Sequence, residues 1–453
     1  MKIPSFVVVE TNLDFANRER MRERAPRVLS SVLVFGLFVL LAFGVLAFGA
    51  VHEWSAFTFE AGAGALFLVW AAKQFASRQL KLSKHPLYLP ALLFFTVILA
   101  QIGLRTSAYG YVTKYELLQY VSYGIVLLIA AECVRDEDAR KKFAFALIVF
   151  GALYAFFALA QALTPNGKIF WFYTPRFHGS IYGSYVNHDH YAGLMEMLIP
   201  IPLVVSMGHM FRGGKRALVA FCVVLMASTI FLSGSRGGMI AFVLEIVFFG
   251  ALTLMQRRNP RVAIGLVTLC LLALAFLLFL GKGQVLGRLG DLAPGIRWNI
   301  TQDCLRMFSH RPVLGWGLGT FPNVYPSYRT FYTNLFVNEA HNDYAQVLVE
   351  TGLLGFALML WFLICLYRRG LPTSRRWEFK WDGALSLAAL LGCTGILFHS
   401  FVDFNMQIPA NAALFYVLCA LAASELSSQS SRSRRTRASE AEEIGQLSRG
   451  ADL

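Results

Sequence analysis

The chain has 453 residues, 56% of them hydrophobic and only 15% charged, with a mean hydropathy of +0.54. That excess of apolar sequence excludes an ordinary soluble domain. A formal net charge of +14 does not make it a nucleic-acid binder, because no folded basic module accompanies the charge.

Apolar runs of about 20 residues are long enough to cross a bilayer as helices. Twelve occur, near 28–50, 56–76, 87–104, 115–134, 143–164, 188–208, 216–233, 237–255, 262–281, 341–366, 384–404 and 408–425. The first is too long for a signal-peptide core and reads as an uncleaved span. Of the 41 Lys and Arg residues, 29 fall in the two termini and the even-numbered loops, 11 fall on the other side, and Lys73 completes the set. By the positive-inside rule both ends are cytoplasmic. The expected fold is therefore an all-α polytopic membrane protein of about twelve transmembrane helices. Residues 1–27 form a basic cytoplasmic arm, 28–281 spans one to nine, 282–340 a large outer loop, 341–425 spans ten to twelve, and 426–453 a basic tail without expected structure. The run Arg432-Ser433-Arg434-Arg435-Thr436-Arg437 in that tail serves as an orientation signal or a contact to anionic lipid. The seven cysteines are scattered, with no C-x-x-C pair, and read as small buried hydrophobes.

In chain order, the first motif is Asp136-Glu137-Asp138. It has the D-x-D form of metal-dependent sugar transferases, but it lies among Arg135, Arg140, Lys141 and Lys142 on the cytoplasmic side and reads as a solvated charged turn. Before the sixth span, Asn187, His188 and His190 crowd one helix entrance. Two histidines at i, i+2 do not share a helical face, so they make a poor metal site. Capping with interface anchoring, and contact with a substrate, both fit. Glu196, one to two turns further in, needs a partner or a cavity.

Spans seven and eight meet in the tight turn Ser233-Gly234-Ser235-Arg236-Gly237-Gly238. Its small residues let another group approach closely and leave Arg236 as the one large polar side chain. An outer arginine opposes the charge bias and costs roughly 2–3 kcal/mol to desolvate at a span centre, less near its end. It reads as an anion site reinforced by the amides that open the eighth span, with snorkelling to headgroups as the alternative.

The long outer loop carries Ile296, Ile300, Cys304, Met307 and Phe308 at three- and four-residue spacing. This predicts an amphipathic helix in the outer interface, with Arg297 on another face. Arg311-Pro312 and Gly315-Trp316-Gly317-Leu318-Gly319 then turn the chain into an aromatic stretch. Basic plus aromatic beside the outer leaflet suggests a polyanionic, lipid-linked substrate bearing sugar; plain headgroup binding is the alternative. The tenth span opens with His341-Asn342, and two glycines, Gly352 and Gly355, follow deeper in. Imidazole exchanges a proton near neutral pH, which suits a general base at a helix mouth. Capping is the plainer reading of the same pair. Glu350 is nine residues beyond His341, about 180° round the helix, and reads as a partner to another span. Asp403 and His399, near an outer helix end, carry no assigned role.

Taken together, His341-Asn342 with Gly352 and Gly355, the Ser233–Gly237 turn, and Gly295-Ile296-Arg297 leading to Gly315–Gly319 resemble the O-antigen ligase and polymerase superfamily. The resemblance implies a metal-independent, inverting glycosyltransferase of membrane-embedded C-type architecture, in the bacterial inner membrane, with its active site facing the periplasm. Its donor would be a glycan on polyprenyl (undecaprenyl) diphosphate and its acceptor a hydroxyl on a lipid or glycan, in lipopolysaccharide or exopolysaccharide biosynthesis. No cofactor is implied, and no nucleic acid. His341 would be the base, and Arg236 and Arg297 would neutralise the leaving diphosphate. Asn342, Asn187, His188, His190 and Arg311 are the candidate substrate contacts. Ligation, polymerisation and transfer to protein stay open. The rival class is a lipid-linked oligosaccharide transporter, although the sequence shows neither an inverted repeat nor paired broken helices.

Overall fold

The computed structural model describes residues 12–78, 80, 82–175, 179–255, 295–333 and 336–424, with side chains from Pro26 onward. Among them the secondary structure is helical, with two isolated bridges and no strand. The main helices are α1 (Asn12–Leu46), α2 (Glu53–Ser77), α3 (Tyr88–Gly103), α4 (Gly110–Cys133), α5 (Glu137–Leu163), α6 (His188–Leu198), α7 (Pro200–Met207), α8 (Gly213–Ser233), α9 (Arg236–Met255), α10 (Ile296–His310), α11 (Asp343–Ser374), α12 (Trp381–His399) and α13 (Pro409–Ala423).

Nine stretches among the described residues are long and apolar enough to cross a membrane, α6 and α7 together forming one of them. Two shorter apolar helices, α3 and α13, stand where further spans are expected. The expected span at 262–281 and the basic tail lie outside the described residues. Part of the basic arm is helical: α1 begins at Asn12 and runs through Pro26 into the first span. Residues 12–25 are mostly Arg, Glu, Ala, Met and Leu, which are good helix formers.

Two stretches stand inside the bundle. The apolar window of His188–Met207 is 89% buried and that of Trp381–His399 is 78% buried, against 22–50% for the other seven, which form the outer wall. Small residues explain this. The run Ala388-Ala389-Leu390-Leu391-Gly392-Cys393 in α12, and the alanines of α13, let neighbouring backbones come close.

The loops collect at two ends. At one, His209 N–H donates to the Glu378 carbonyl (2.8 Å) and Arg140 reaches the Leu421 carbonyl (3.2 Å). At the other, Tyr173 meets His52 (3.2 Å), Ala108 N–H donates to the Trp316 carbonyl (2.7 Å), and the 400–408 connection meets the starts of α6 and α11. All the candidate site residues lie at this second end.

Two features of the long loop shape that end. In α10, Ile300, Cys304 and Met307 are buried against Phe321, Tyr325 and Val349, so this apolar face packs on the protein itself and not on the interface. Only Ile296 of the apolar set stays exposed, at 48%. The second feature is a break in α11 at Gly352, whose backbone is at φ +65° and ψ −168°. A Cβ there would run into the Val313 carbonyl, so the position requires glycine. The chain at 312–317 fills the break. Trp316 N–H donates to the Val349 carbonyl (3.0 Å), Gly317 N–H to that of Glu350 (2.9 Å), and Leu353 N–H to that of Pro312 (2.8 Å). The carbonyls freed by the break are thereby satisfied, as buried backbone requires.

Candidate active site

The site assembles from four chain segments: the starts of α6, α9 and α11, and the 400–408 connection between α12 and α13. The start of α10 closes over them. Asp189, one residue into the turn that Asn187 caps, is the hub. Its Oδ1 accepts the Ser235 hydroxyl (2.6 Å) and lies 3.3 Å from His188 Nε2. Its Oδ2 pairs with Arg297 Nη2 at 3.2 Å. The other arm of that guanidinium, Nη1, donates to the Val402 carbonyl (2.5 Å). Ser235 in turn accepts the Gly238 N–H (3.1 Å), which caps the start of α9. One carboxylate thus ties α6 to the turn bearing Arg236 and to the helix bearing Arg297. Arg236 is the first residue of α9 and is exposed.

A second carboxylate, Asp403, lies between two imidazoles. Its Oδ1 is 3.6 Å from His341 Nδ1 and its Oδ2 is 3.7 Å from His190 Nε2. Both rings stand edge-on to Phe404, with centroids at 4.7 Å in each case. Burial alone would push the Asp403 carboxyl up; the His341 and His190 rings outweigh it and hold the carboxyl below the usual carboxylate range. Asn405 donates to Asp403 (3.4 Å) and accepts from Asn411 (2.9 Å), which also binds the His190 carbonyl (2.9 Å). Asp403 is wholly buried, whereas the His341 side chain is 26% exposed. His341 also has φ +50°, the left-handed region that non-glycine residues enter rarely, and such positions cluster at functional sites. A distance of 3.6 Å is long for a hydrogen bond, but catalytic pairs often tighten only around substrate. With Nδ1 toward Asp403, Nε2 is the nitrogen left for an incoming hydroxyl.

The candidate substrate contacts separate. Asn342 caps α11, its Oδ1 accepting the Ala345 N–H (3.1 Å). Asn187 caps α6 through the Asp189 N–H (2.9 Å), while its amide nitrogen lies 3.4 Å from His190 Nε2. His190 is buried behind Phe404, and His188 is the more open of the two histidines. Arg311 is engaged elsewhere: its Nη1 donates to the Thr106 carbonyl (2.5 Å) and its guanidinium lies over the Trp316 ring at 4.2 Å. There it pins the strap that fills the α11 break. The Glu350 side chain holds the chain just beyond that strap, accepting the Phe321 N–H (3.1 Å). Glu196 pairs with His399 at 3.0 Å, both fully buried, directly below the Arg236 turn. Gly237 is needed at that contact, since a Cβ would lie 2.7 Å from His399 Nε2.

Reading the sequence passes over Asp189 and Ser235 and gives Asp403 no role. The available signals are an acidic residue between two histidines, and Asp403 at the end of an apolar run, where an ionisable group needs a partner.

Residues 221–360 match the family model described as O-antigen ligase. The match begins in α8 and ends in α11, and it contains Arg236, Arg297, Arg311 and His341. This segment is thus similar to the O-antigen ligase superfamily. Asp189 and Asp403 lie outside it. No curated protein matches the chain.

Proposed function

We propose, on the premise of that O-antigen ligase segment and the glycosyltransferase-like activity the family implies, that the chain transfers a glycan with inversion. The donor is a glycan on undecaprenyl diphosphate, the acceptor a hydroxyl at the periplasmic face of the bacterial inner membrane, and no metal takes part. The observation that carries this reading is the meeting, through the 400–404 segment, of an accessible His341 backed by Asp403 with an Arg297 held by Asp189 and Val402.

The acceptor oxygen attacks the anomeric carbon as its proton passes to His341 Nε2. The bond from that carbon to the diphosphate oxygen breaks, and its electron pair leaves on the diphosphate. Asp403 stabilises the imidazolium that forms and fixes the ring orientation. Arg297 and Arg236 neutralise the growing charge of the leaving group, Arg236 with help from the amide groups that open α9. Arg297 is balanced by Asp189; a diphosphate would share it. His188 is the remaining open contact for substrate.

The test uses purified protein in detergent with undecaprenyl-diphosphate-linked glycan and a panel of lipid and glycan acceptors. Release of undecaprenyl diphosphate that needs both an acceptor and His341 is the expected result. A protein that releases none with any acceptor, yet moves the lipid-linked glycan across sealed vesicles, would be a transporter.

A further inference from the structure

His341 is held in an uncommon backbone setting, and one side chain accounts for much of it. At φ +50° a residue with a Cβ stays only where its surroundings over-determine it. The grip comes from both sides. After His341, the Asp343 N–H donates to the Ser400 carbonyl (2.9 Å), on the connection that carries Asp403. Before His341, the Gln346 amide reaches back from α11. Its Oε1 accepts the Ala340 N–H (2.9 Å), and its Nε2 donates to Glu339 Oε2. A backbone N–H can only donate, so this orientation of the amide is fixed. The same amide is hydrogen-bonded to Glu350, which accepts the Gly319 and Phe321 N–H groups beyond the strap. Gln346 is 2% exposed, and Val337 and Ala340 are buried against the apolar face of α10. The Asn342 cap acts inside the helix, on the Ala345 N–H; Gln346 acts on the peptide that leads into it.

We propose that Gln346 is a positioning residue for His341: its amide clasps the 339–340 segment to α11, sets the backbone from which the imidazole projects, and so keeps Nδ1 toward Asp403 and Nε2 toward the acceptor. The clasp is read from the hydrogen bonds; its meaning for catalysis rests on the transferase reading above. Geometry favours orientation over contact with a substrate. The amide is buried, and its oxygen and its nitrogen are both engaged by the protein. Its influence on the reaction therefore passes through His341. The ring stands 3.6 Å from Asp403, a separation at which a small rotation decides whether a hydrogen bond forms. A loosened 339–340 segment would let His341 leave the left-handed region for a more populated one and swing the ring off Asp403. A misplacement of about 1 Å is enough to slow a reaction by up to roughly 100-fold.

The experiment compares full-length protein in detergent with Gln346→Leu, Gln346→Glu and Glu339→Ala. Hydrogen exchange reads the clasp. The Ala340 amide should exchange roughly tenfold faster or more in Gln346→Leu, with the amides beyond Leu354 unchanged. Kinetics read its purpose. Gln346→Leu should lower kcat about tenfold and leave KM for donor and acceptor within about twofold. In a His341→Ala background it should cause no further loss, because a residue that acts through the imidazole then has nothing to act on. Gln346→Glu keeps an oxygen for the Ala340 N–H and should recover most of the lost rate. Unaltered exchange at Ala340, or a further loss of about tenfold in the His341→Ala background, overturns the proposal. Should Gln346→Leu fail to fold, Glu339→Ala, which lies outside the helix, decides by the same two measures, with an expected loss of about threefold in kcat. Exchange needs no turnover, so failure of the transferase reading and failure of the clasp are separate outcomes.

Discussion

Two of the histidine–carboxylate pairs at one end of this bundle each draw one member, His399 or Asp403, from the same short stretch of chain. His399 and Glu196 meet at 3.0 Å with neither side chain exposed. His341 and Asp403 stand 3.6 Å apart, with the imidazole 26% exposed. The chemical types are the same; enclosure differs. In the closed pair each group compensates the other away from the surface, and the Gly237 backbone packs directly on the His399 ring. It locks α6 to α12 under the turn that presents Arg236. In the open pair the carboxylate is buried but the ring reaches the surface, so the ring can exchange a proton with something that arrives and departs. A histidine beside a carboxylate is not by itself a candidate base; an accessible ring nitrogen is what sets His341 apart.

The largest expected effect separates the pairs by activity. His341→Ala should lower transfer by about 100-fold or more, the usual scale for a general base, with the protein still inserted and abundant. His341→Gln should not restore it, because an amide cannot take the proton; near-parental activity in this variant would make His341 positional and move the search to His188. Arg236→Ala should also abolish turnover, and Arg236→Lys should recover only part, since lysine lacks the forked geometry that suits a diphosphate. Arg297→Ala should act more mildly, and the double variant should lose less than the two singles together if both grip one group. Donor affinity and single-turnover rates decide this.

The next test moves stability while sparing chemistry. His399→Leu leaves Glu196 unpaired in the core and should cost about 3–5 kcal/mol of stability, seen as a lower Tm in detergent, while turnover per folded molecule stays within a few-fold. A loss of rate as large as that of His341→Ala, at parental Tm, would erase the distinction between the pairs. Asp403→Asn should do the reverse, slowing transfer roughly tenfold or more through a misoriented His341 with a small change in Tm at neutral pH. The smallest effect is in its pH dependence. The Asp403 carboxyl is held below its ordinary range, so its contribution is complete above the unfolded value and is lost as pH falls through the lowered one. The parent should therefore lose more Tm than Asp403→Asn on acidification below about pH 4.

How much of this was legible in the sequence depends on the range of the interaction. Membrane helices declare themselves locally, because each needs its own apolar run, and the described helices lie close to the runs that predict them. The ends of the motifs were equally plain: Arg236 opens a helix after a glycine-rich turn, and His341 precedes an asparagine cap. Partnerships were not legible. Asp189 and Arg297 are 108 positions apart, and nothing in either neighbourhood points to the other. Arg311 shows the opposite failure. It lies in a basic, aromatic loop, but the Thr106 carbonyl and the Trp316 ring hold it at the strap. The amphipathic spacing of α10 correctly marks one apolar face, yet spacing cannot say whether lipid or protein covers it.

The break at Gly352 has a consequence for how this architecture can be recombined. The turn at 312–317 supplies the hydrogen bonds that the upper half of α11 cannot make for itself. The loop and the helix bearing His341 are therefore one unit of inheritance, although they look like a loop followed by a span. A chimera that exchanges the long loop with that of a relative and joins at the start of α11 would pair a foreign strap with a native gap. Joined beyond Leu354, where the strap's last bond is made, the graft would carry the strap, the gap and the counterpart of His341 together. Substrate specificity in such proteins would then be transplanted in segments whose borders are set by backbone carbonyls.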